Sequence, residues 1–177
     1  MRIITGPGKE AIGVRAGFEP FFRTHFDGVA RAAALVAGDA GAGQEVAQEA
    51  FLRLFQRWGL MESDDHARNF AYKVGVNLAR SHVRKHRPVI RAGLRHADGL
   101  VAPAGPAADG PDVLAALATL SQRQRACVVL VDLADMDSAT AASVLGISAS
   151  TVRVQVMRGR QALRRALALP EGERDEG

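Results

Sequence analysis

The stretch DSATAASVLGISASTVRVQVMRGRQALRR, from Asp137 to Arg165, decides the fold of this chain. Small and apolar residues at Ala139, Ala142, Val144 and Leu145 fall at helical spacing, which lays one stripe of a short helix against a core. Gly146 stops that helix. Glycine takes the left-handed backbone of a C-terminal cap without steric cost, and Ile147 behind it can fold back onto the helix it follows. Ser148 opens a second helix, its hydroxyl placed to accept from the backbone N–H of Ser150 or Thr151. Val152, Val156 and Leu163 give this helix an apolar stripe, while Ser150, Thr151, Arg153, Gln155, Arg158 and Arg160 occupy the other face. No acid stands between Ile147 and Leu169, so the face suits phosphates and base edges.

The spacing from Ala142 to Gly146 to Val152 is that of a helix-turn-helix, whose second helix enters the major groove, where Arg and Gln can pair with base edges. The plainer alternative is a helical hairpin in an ordinary core, its arginines merely solvated. The rest of the chain bears on that choice. Its 177 residues suffice for one domain or two small ones. A net charge of +4 and a pI near 10.0 favour a polyanionic partner. There is no run long enough for a membrane-spanning helix and no signal-peptide core, which predicts a cytoplasmic protein without membrane attachment. Cys127, the only cysteine, lies in the apolar run CVVLV and reads as a small core residue, so neither a disulfide framework nor a cysteine zinc site is expected.

Residues 1–16 are glycine-rich and aperiodic and read as a flexible tail. An amphipathic helix is predicted from Phe18 to Ala37, with Pro20 in its first turn, Phe18, Phe22, Phe26, Val29 and Val36 on one face, and Gly38 at its end. After the polar segment DAGAG, Gln44 to Trp58 shows the clearest helical period. Ala47, Ala50, Phe51, Leu54, Phe55 and Trp58 form the apolar side; Glu45 and Glu49 are expected in the early turns, where the helix dipole favours a carboxylate. On periodicity alone the polar side of this helix is a solvated surface.

Ser63 or Asp64 caps a third helix, predicted from His66 to about Arg87, with Phe70, Ala71, Val74 and Leu78 as its buried stripe. Its cations Arg68, Lys73, Arg80, Arg84, Lys85 and Arg87 meet no acid between Asp65 and Asp98, and such a helix repels itself unless a polyanion lies against it. Tyr72 and Asn77 stand among them. An aromatic ring beside a basic groove can stack unpaired bases, although a half-buried core position for Tyr72 accounts for it equally well. His82 and His86 are one turn apart but have no acid or cysteine nearby, so no metal is assigned. Pro88 to Pro111 loses all periodicity and reads as a tether. Beyond it come a short helix from Asp112 to Leu120, with Val113, Leu114, Leu117 and Leu120 inward, a capping box at Ser121 and Gln124, and a buried helix RACVVLVDLADM.

In this order the pieces resemble a bacterial extracytoplasmic-function (ECF) sigma factor, the small members of the sigma-70 family with only regions two and four. The resemblance covers about Phe18 to Leu167 and rests on FEPFFRTHF, QEVAQEAFLRLFQRW, NFAYKVGVNLARSH, LATLSQRQRACVVLVDL and VLGISASTVRVQVMRGRQAL. It implies an all-α chain of two small helical domains joined by a flexible linker. The expected boundaries are a tail over 1–16, a region-two domain over 17–88, a linker over 89–111, a region-four helix-turn-helix domain over 112–169 and an acidic tail over 170–177. It further implies that Glu45, Gln48, Glu49, Leu52 and Arg53 dock on the clamp helices of core RNA polymerase, with the flap of the other large subunit as a second contact, which replaces the solvated-surface reading of that helix. Tyr72, Lys73, Asn77, Arg80, Arg84 and Lys85 would hold the minus-ten promoter DNA as its strands separate, and Ser150, Thr151, Arg153, Gln155 and Arg158 would read the minus-thirty-five duplex. An anti-sigma factor is left open as a further partner.

Three positions depart from the family pattern: Gln44-Glu45 stands where an acidic pair is common, Thr140 where a Glu is common, and Ser81 where an Asp is common. These are expected to tune affinity or promoter choice. No nucleophile with a base, phosphate-cradling glycine loop or metal cluster is legible, so no catalytic residue, enzyme activity or cofactor is expected. The alternative function is a stand-alone helix-turn-helix transcriptional regulator that binds duplex operators without polymerase.

Overall fold

Glycine and small residues set how closely the first helices cross. In the computed structural model, which describes residues 17–93 and 113–167, α1 runs Phe18–Ala37 and stops at Gly38, whose φ of 74° is the left-handed cap. Its N–H donates to Ala34 O at 2.7 Å. Asp39 then caps α2, Ala40–Gln56, with its carboxylate Oδ1 accepting from Ala42 N at 3.0 Å. The two helices approach so tightly that a Cβ at Gly43 would lie 2.5 Å from Ala34 Cβ and 2.7 Å from Ala30 O. α3, Asp64–Gly93, packs across both, its start held by the Ser63 hydroxyl, which accepts from His66 N at 3.1 Å. Val29, Ala33, Val36, Ala47, Ala50, Phe51, Leu54, Ala67, Ala71, Val76 and Ala79 fill the space between them.

The second half is built around a bent helix. α4, Val113–Ala118, leads to α5, Gln122–Val128, which begins at the expected reciprocal capping box of Ser121 and Gln124. α5 passes directly into a wider π turn over Val129–Leu133, where Ala134 N donates five residues back to Val129 O. Asp135 takes a positive φ of 52°, and Met136 N returns to Leu130 O, ending the helix. α6, Ser138–Leu145, then turns at Gly146 (φ 67°) into α7, Ala149–Ala166. α5 and α7 cross closely at Gly159, where a Cβ would come 2.6 Å from Val128 Cγ2. Cys127 is fully buried here as a core residue, and burial raises its thiol pKa.

Among the described residues the fold is all helical, as expected, with the helix-turn-helix at α6 and α7. The two halves pack on each other: α1 and α3 meet α5, the π turn and α6, and one apolar cluster runs through both. The expected tails, and most of the linker, lie outside the described residues.

Several sequence expectations shift. DAGAG is the cap and first turn of α2, because Asp39 caps it and the small residues permit the close crossing. Glu45 and Glu49 therefore sit beyond the first turn, where the dipole argument no longer reaches them. Trp58 lies in a short 3-10 turn, Trp58–Leu60. In α1 the most buried ring is Phe21 at 5 % exposure, with Phe18, Phe22 and Phe26 only half-buried. The buried side of α3 is Ala67, Ala71, Tyr72, Val76 and Ala79, since two helices flank it and small residues let them in; Phe70, Val74 and Leu78 flank this stripe. α3 also continues past Pro88. Leu117 and Leu120 face inward, whereas Val113 and Leu114 are exposed.

Gly43→Val should destabilise the protein by about 1–3 kcal/mol through overpacking, lowering the melting temperature by several degrees. A thermal melt followed by circular dichroism checks this; an unchanged midpoint would mean that α1 and α2 do not cross at this distance.

Candidate nucleic-acid interface

Three helical faces carry the residues singled out from sequence. On α2, Glu45, Gln48, Leu52 and Arg53 are exposed and Glu49 is partly so, and together they form one strip along the helix. Arg53 Nε donates to Glu49 Oε1 at 2.7 Å across one helical turn, a pair half in solvent that contributes little to stability. Beside the strip lies an open depression of about 330 Å³, lined by Phe18, Phe22, Gln48, Phe51, Leu52 and Phe55. Leu52 is 53 % exposed at its edge. The sequence reading assigned Phe22 and Phe55 to the core. The missed signal was that α1 and α2 carry more aromatic rings than one helix–helix seam can cover.

α3 presents Lys73, Asn77, Arg84 and Lys85 to solvent, with Arg84 Nη2 donating to Ser81 Oγ at 3.2 Å. Tyr72 differs. It is 6 % exposed, packed toward Gly28 of α1, and the Arg68 guanidinium lies 5.5 Å over its ring. Burial raises its hydroxyl pKa, and Arg68 works against that rise. Arg80 is half-buried against α5 and α6, beside Arg123, Ala126, Leu145 and Ile147, with its Nε buried and unpaired. The structure thus brings four of the six candidates onto one exposed face and turns Tyr72 and Arg80 into packing contacts.

α7 is presented by the turn that precedes it. Gly146 and Ile147 close α6 through Ile147 N donating to Ala142 O at 3.1 Å. Asp137 caps α6 by accepting from Thr140 N at 2.7 Å, and the hydrogen bonds from Thr140 hold its carboxyl below the usual range. Thr140, the position where a Glu was missing, so contributes through its backbone. Ser148 Oγ accepts from Thr151 N at 3.1 Å and lies 2.9 Å from Ser150 Oγ and 2.8 Å from Thr151 Oγ1, which fixes both hydroxyls at the helix start. Ser150, Arg153 and Arg158 are exposed, and Thr151 and Gln155 are partly so.

Arg160 turns away to pair with Asp132 of the π turn, its Nε 3.2 Å from Oδ2. Together with Val131, Ser138, Arg153, Val156, Met157 and Arg164 it lines an open cleft of about 360 Å³. Val154 and Met157, 41 % and 62 % exposed, are apolar groups on this otherwise polar surface that the sequence reading passed over. Such groups can meet a thymine methyl. No cluster of possible metal ligands occurs among the described residues.

Ser148→Ala should cost about 1 kcal/mol of stability through the lost cap. Ser148→Asp should keep that stability while weakening duplex DNA binding, because a carboxylate at this helix start faces phosphate. Chemical denaturation paired with DNA titration separates the two effects, and equal DNA affinity for Ser148→Asp and the parent would remove this end of α7 from the DNA surface.

Comparison with known proteins agrees with this geometry. Residues 21–89 match the family model for sigma-70 region 2, and residues 112–163 match that for sigma-70 region 4. The chain is 27 % identical over 164 residues to the ECF RNA polymerase sigma factor SigE of Mycolicibacterium smegmatis, a match covering 88 % of this chain and 63 % of SigE. It is 27 % identical over 148 residues to the ECF RNA polymerase sigma factor SigW of Bacillus subtilis, covering 73 % of this chain and 78 % of that protein. Its fold is similar to that of the sigma factor RpoE from Bartonella quintana, solved in complex with the anti-sigma factor NepR (TM-score 0.71, 20 % identity, 87 % of this chain and 98 % of that one). It is also similar to CnrH, solved with the cytosolic domain of CnrY (TM-score 0.64, 22 % identity, 91 % and 96 % covered). With both regions matched in order on one all-helical chain, this protein belongs to the sigma-70 family, among its ECF members.

Proposed function

We propose that the chain is a promoter-specificity subunit: it binds core RNA polymerase and directs initiation at promoters with its own minus-ten and minus-thirty-five elements. The observation that carries this reading is the pairing of a region-two match and a region-four match on the same chain, each ending in an exposed cationic helix. We assign residues 17–88 to polymerase and minus-ten binding, 89–111 to a linker, and 112–169 to minus-thirty-five binding.

In this assignment the strip Glu45, Gln48, Glu49, Leu52 and Arg53 meets the clamp helices, with Leu52 and the neighbouring phenylalanine depression supplying the apolar centre and the charges the rim. Lys73, Asn77, Arg84 and Lys85 follow the separated minus-ten strand. The α7 face of Ser150, Thr151, Arg153, Gln155 and Arg158 enters the major groove. No bond is made or broken by the protein itself. No helix among the described residues is long and apolar enough to cross a membrane, and we place the protein in the cytoplasm with its polymerase. Because RpoE was solved with the anti-sigma factor NepR, and CnrH with the cytosolic domain of CnrY, an anti-sigma factor is a natural further ligand.

Reconstitution with core polymerase tests this: the chain should co-elute with core and support run-off transcription from a restricted set of upstream regions. Glu49→Lys should abolish both. Arg153→Ala should lower promoter affinity by about 1–3 kcal/mol and relax discrimination at one base pair, whereas Lys85→Ala should weaken all sequences alike and reduce the salt slope by about one. Salt-sensitive duplex binding by the free chain without co-elution would instead favour a stand-alone regulator.

A further inference from the structure

Val154 and Met157 are 41 % and 62 % exposed in the midst of the polar face of α7. Val152 and Val156, which seat α7 on the core, are 0 % and 6 % exposed. Each of them lies two residues from Val154, and at about 100° per residue this sets Val154 across the helix from both. Val154 thus points straight away from the core. Its exposed neighbours on that side are Ser150, one turn before it, and Met157 and Arg158, one turn after.

The start of α7 is the part of the helix that a helix-turn-helix brings to base edges. Ser148 holds the Ser150 and Thr151 hydroxyls there, and Asp132 draws Arg160 aside through its Nε at 3.2 Å. Val154 and Met157 remain on the face that is left. Met157 also borders the open cleft beside Arg153 and Arg160, which gives its flexible thioether room to adjust.

The chemistry of the groove decides what an apolar side chain selects at this place. Base pairs show the major groove hydrogen-bond donors, acceptors and one apolar substituent, the C5-methyl of thymine. A valine or methionine pressed on a donor or acceptor strips its water and returns no hydrogen bond. Against the methyl, both apolar surfaces leave water together. A partner protein could also cover such a pair, but Arg153, Arg158 and Ser150 surround it and no acid stands between Ile147 and Leu169, which suits the phosphates that border a groove. The two side chains are three residues, about 4.5 Å, apart along the helix axis, close to the roughly 3.4 Å between bases of one strand, so they address neighbouring base pairs.

We propose that Val154 and Met157 are specificity-determining residues of the minus-thirty-five contact, each selecting a thymine by its C5-methyl, so that the element holds neighbouring T·A pairs read by apolar contact. The inference rests on the sigma reading for the identity of the element, and on the geometry of α7 for the group that is read.

The element is first selected from a random-sequence duplex pool, once by the full chain with core polymerase and once by the full chain alone. Each thymine of the selected duplex is then replaced singly by deoxyuridine, which deletes only the C5-methyl. At two neighbouring positions the replacement should weaken binding about fourfold, the worth of one buried methyl group. Val154→Ala should abolish the penalty at one of these positions and Met157→Ala at the other. Both sites are exposed and alanine is a good helix former, so the melting midpoint should stay where it is. Because the methyl is deleted on the DNA, the first arm needs only the parent chain.

A selection that enriches no thymine overturns the proposal, as does deoxyuridine bound as tightly as thymine, or a penalty that persists unchanged in both variants. So does a Val154→Ala/Met157→Ala variant that keeps its thymine preference and loses polymerase, which would make the pair a protein contact. Co-elution and promoter-restricted transcription with indifference to the methyl would sink the thymine readout and leave the sigma reading standing. Methyl-dependent selection by the chain alone, without any co-elution, would do the reverse.

Discussion

Burial of one continuous apolar cluster across both halves is the constraint on which the rest of the structure depends. The first half is built of three long helices and the second of shorter ones around α7. The first relies on alanine and glycine to bring α1, α2 and α3 close enough for Phe51, Leu54, Val29 and Val36 to fill the gap. The second wraps α5, α6 and α7 around Leu130, Cys127 and Val152. Small residues bury little area each, at about 25 cal/mol per Å², so close backbone approach must supply contacts that bulky side chains would otherwise provide.

Charge is arranged around that core in the opposite sense. Among the described residues no charged side chain is fully buried, and the cations gather on α3 and α7. Acids on α2 are spaced along a separate strip, where Glu49 has a local partner in Arg53. Asp132 draws Arg160 out of the α7 array, so the recognition face is narrower than the sequence of α7 suggests. One polypeptide thereby presents a mixed-charge, partly apolar strip suited to a protein and two cationic faces suited to nucleic acid.

Much of this was legible in advance, for local reasons. The Ser121–Gln124 capping box, the left-handed Gly38 and Gly146, the Ser148 cap and the core placement of Cys127 depend on interactions within a few residues or on the apolar run around them. The errors were of a different kind. α2 beginning at Ala40, four residues before Gln44, Phe21 displacing its neighbours as the buried ring, and Ala67 and Val76 joining Ala71 in the buried stripe of α3 follow from which helix lies opposite and how near it comes. Hydrophobic period gives the direction of a face to within a residue or so, and a close crossing then selects the smaller side chain over the larger one.

The sequence by itself determined the helical class, the helix-turn-helix with its turn and caps, and the charge of each candidate face, because backbone caps, 3.6-residue periodicity and the absence of acids are properties of contiguous residues. Only the tertiary structure decided which of those charges are available. Tyr72 and Arg80 share the α3 sequence with Lys73 and Arg84, yet Arg68 bonded to the Ala134 carbonyl and Gln122 bonded to the Arg80 carbonyl put them at a seam. Those partners lie 66 and 42 residues away, and nothing in the local pattern of α3 records their approach.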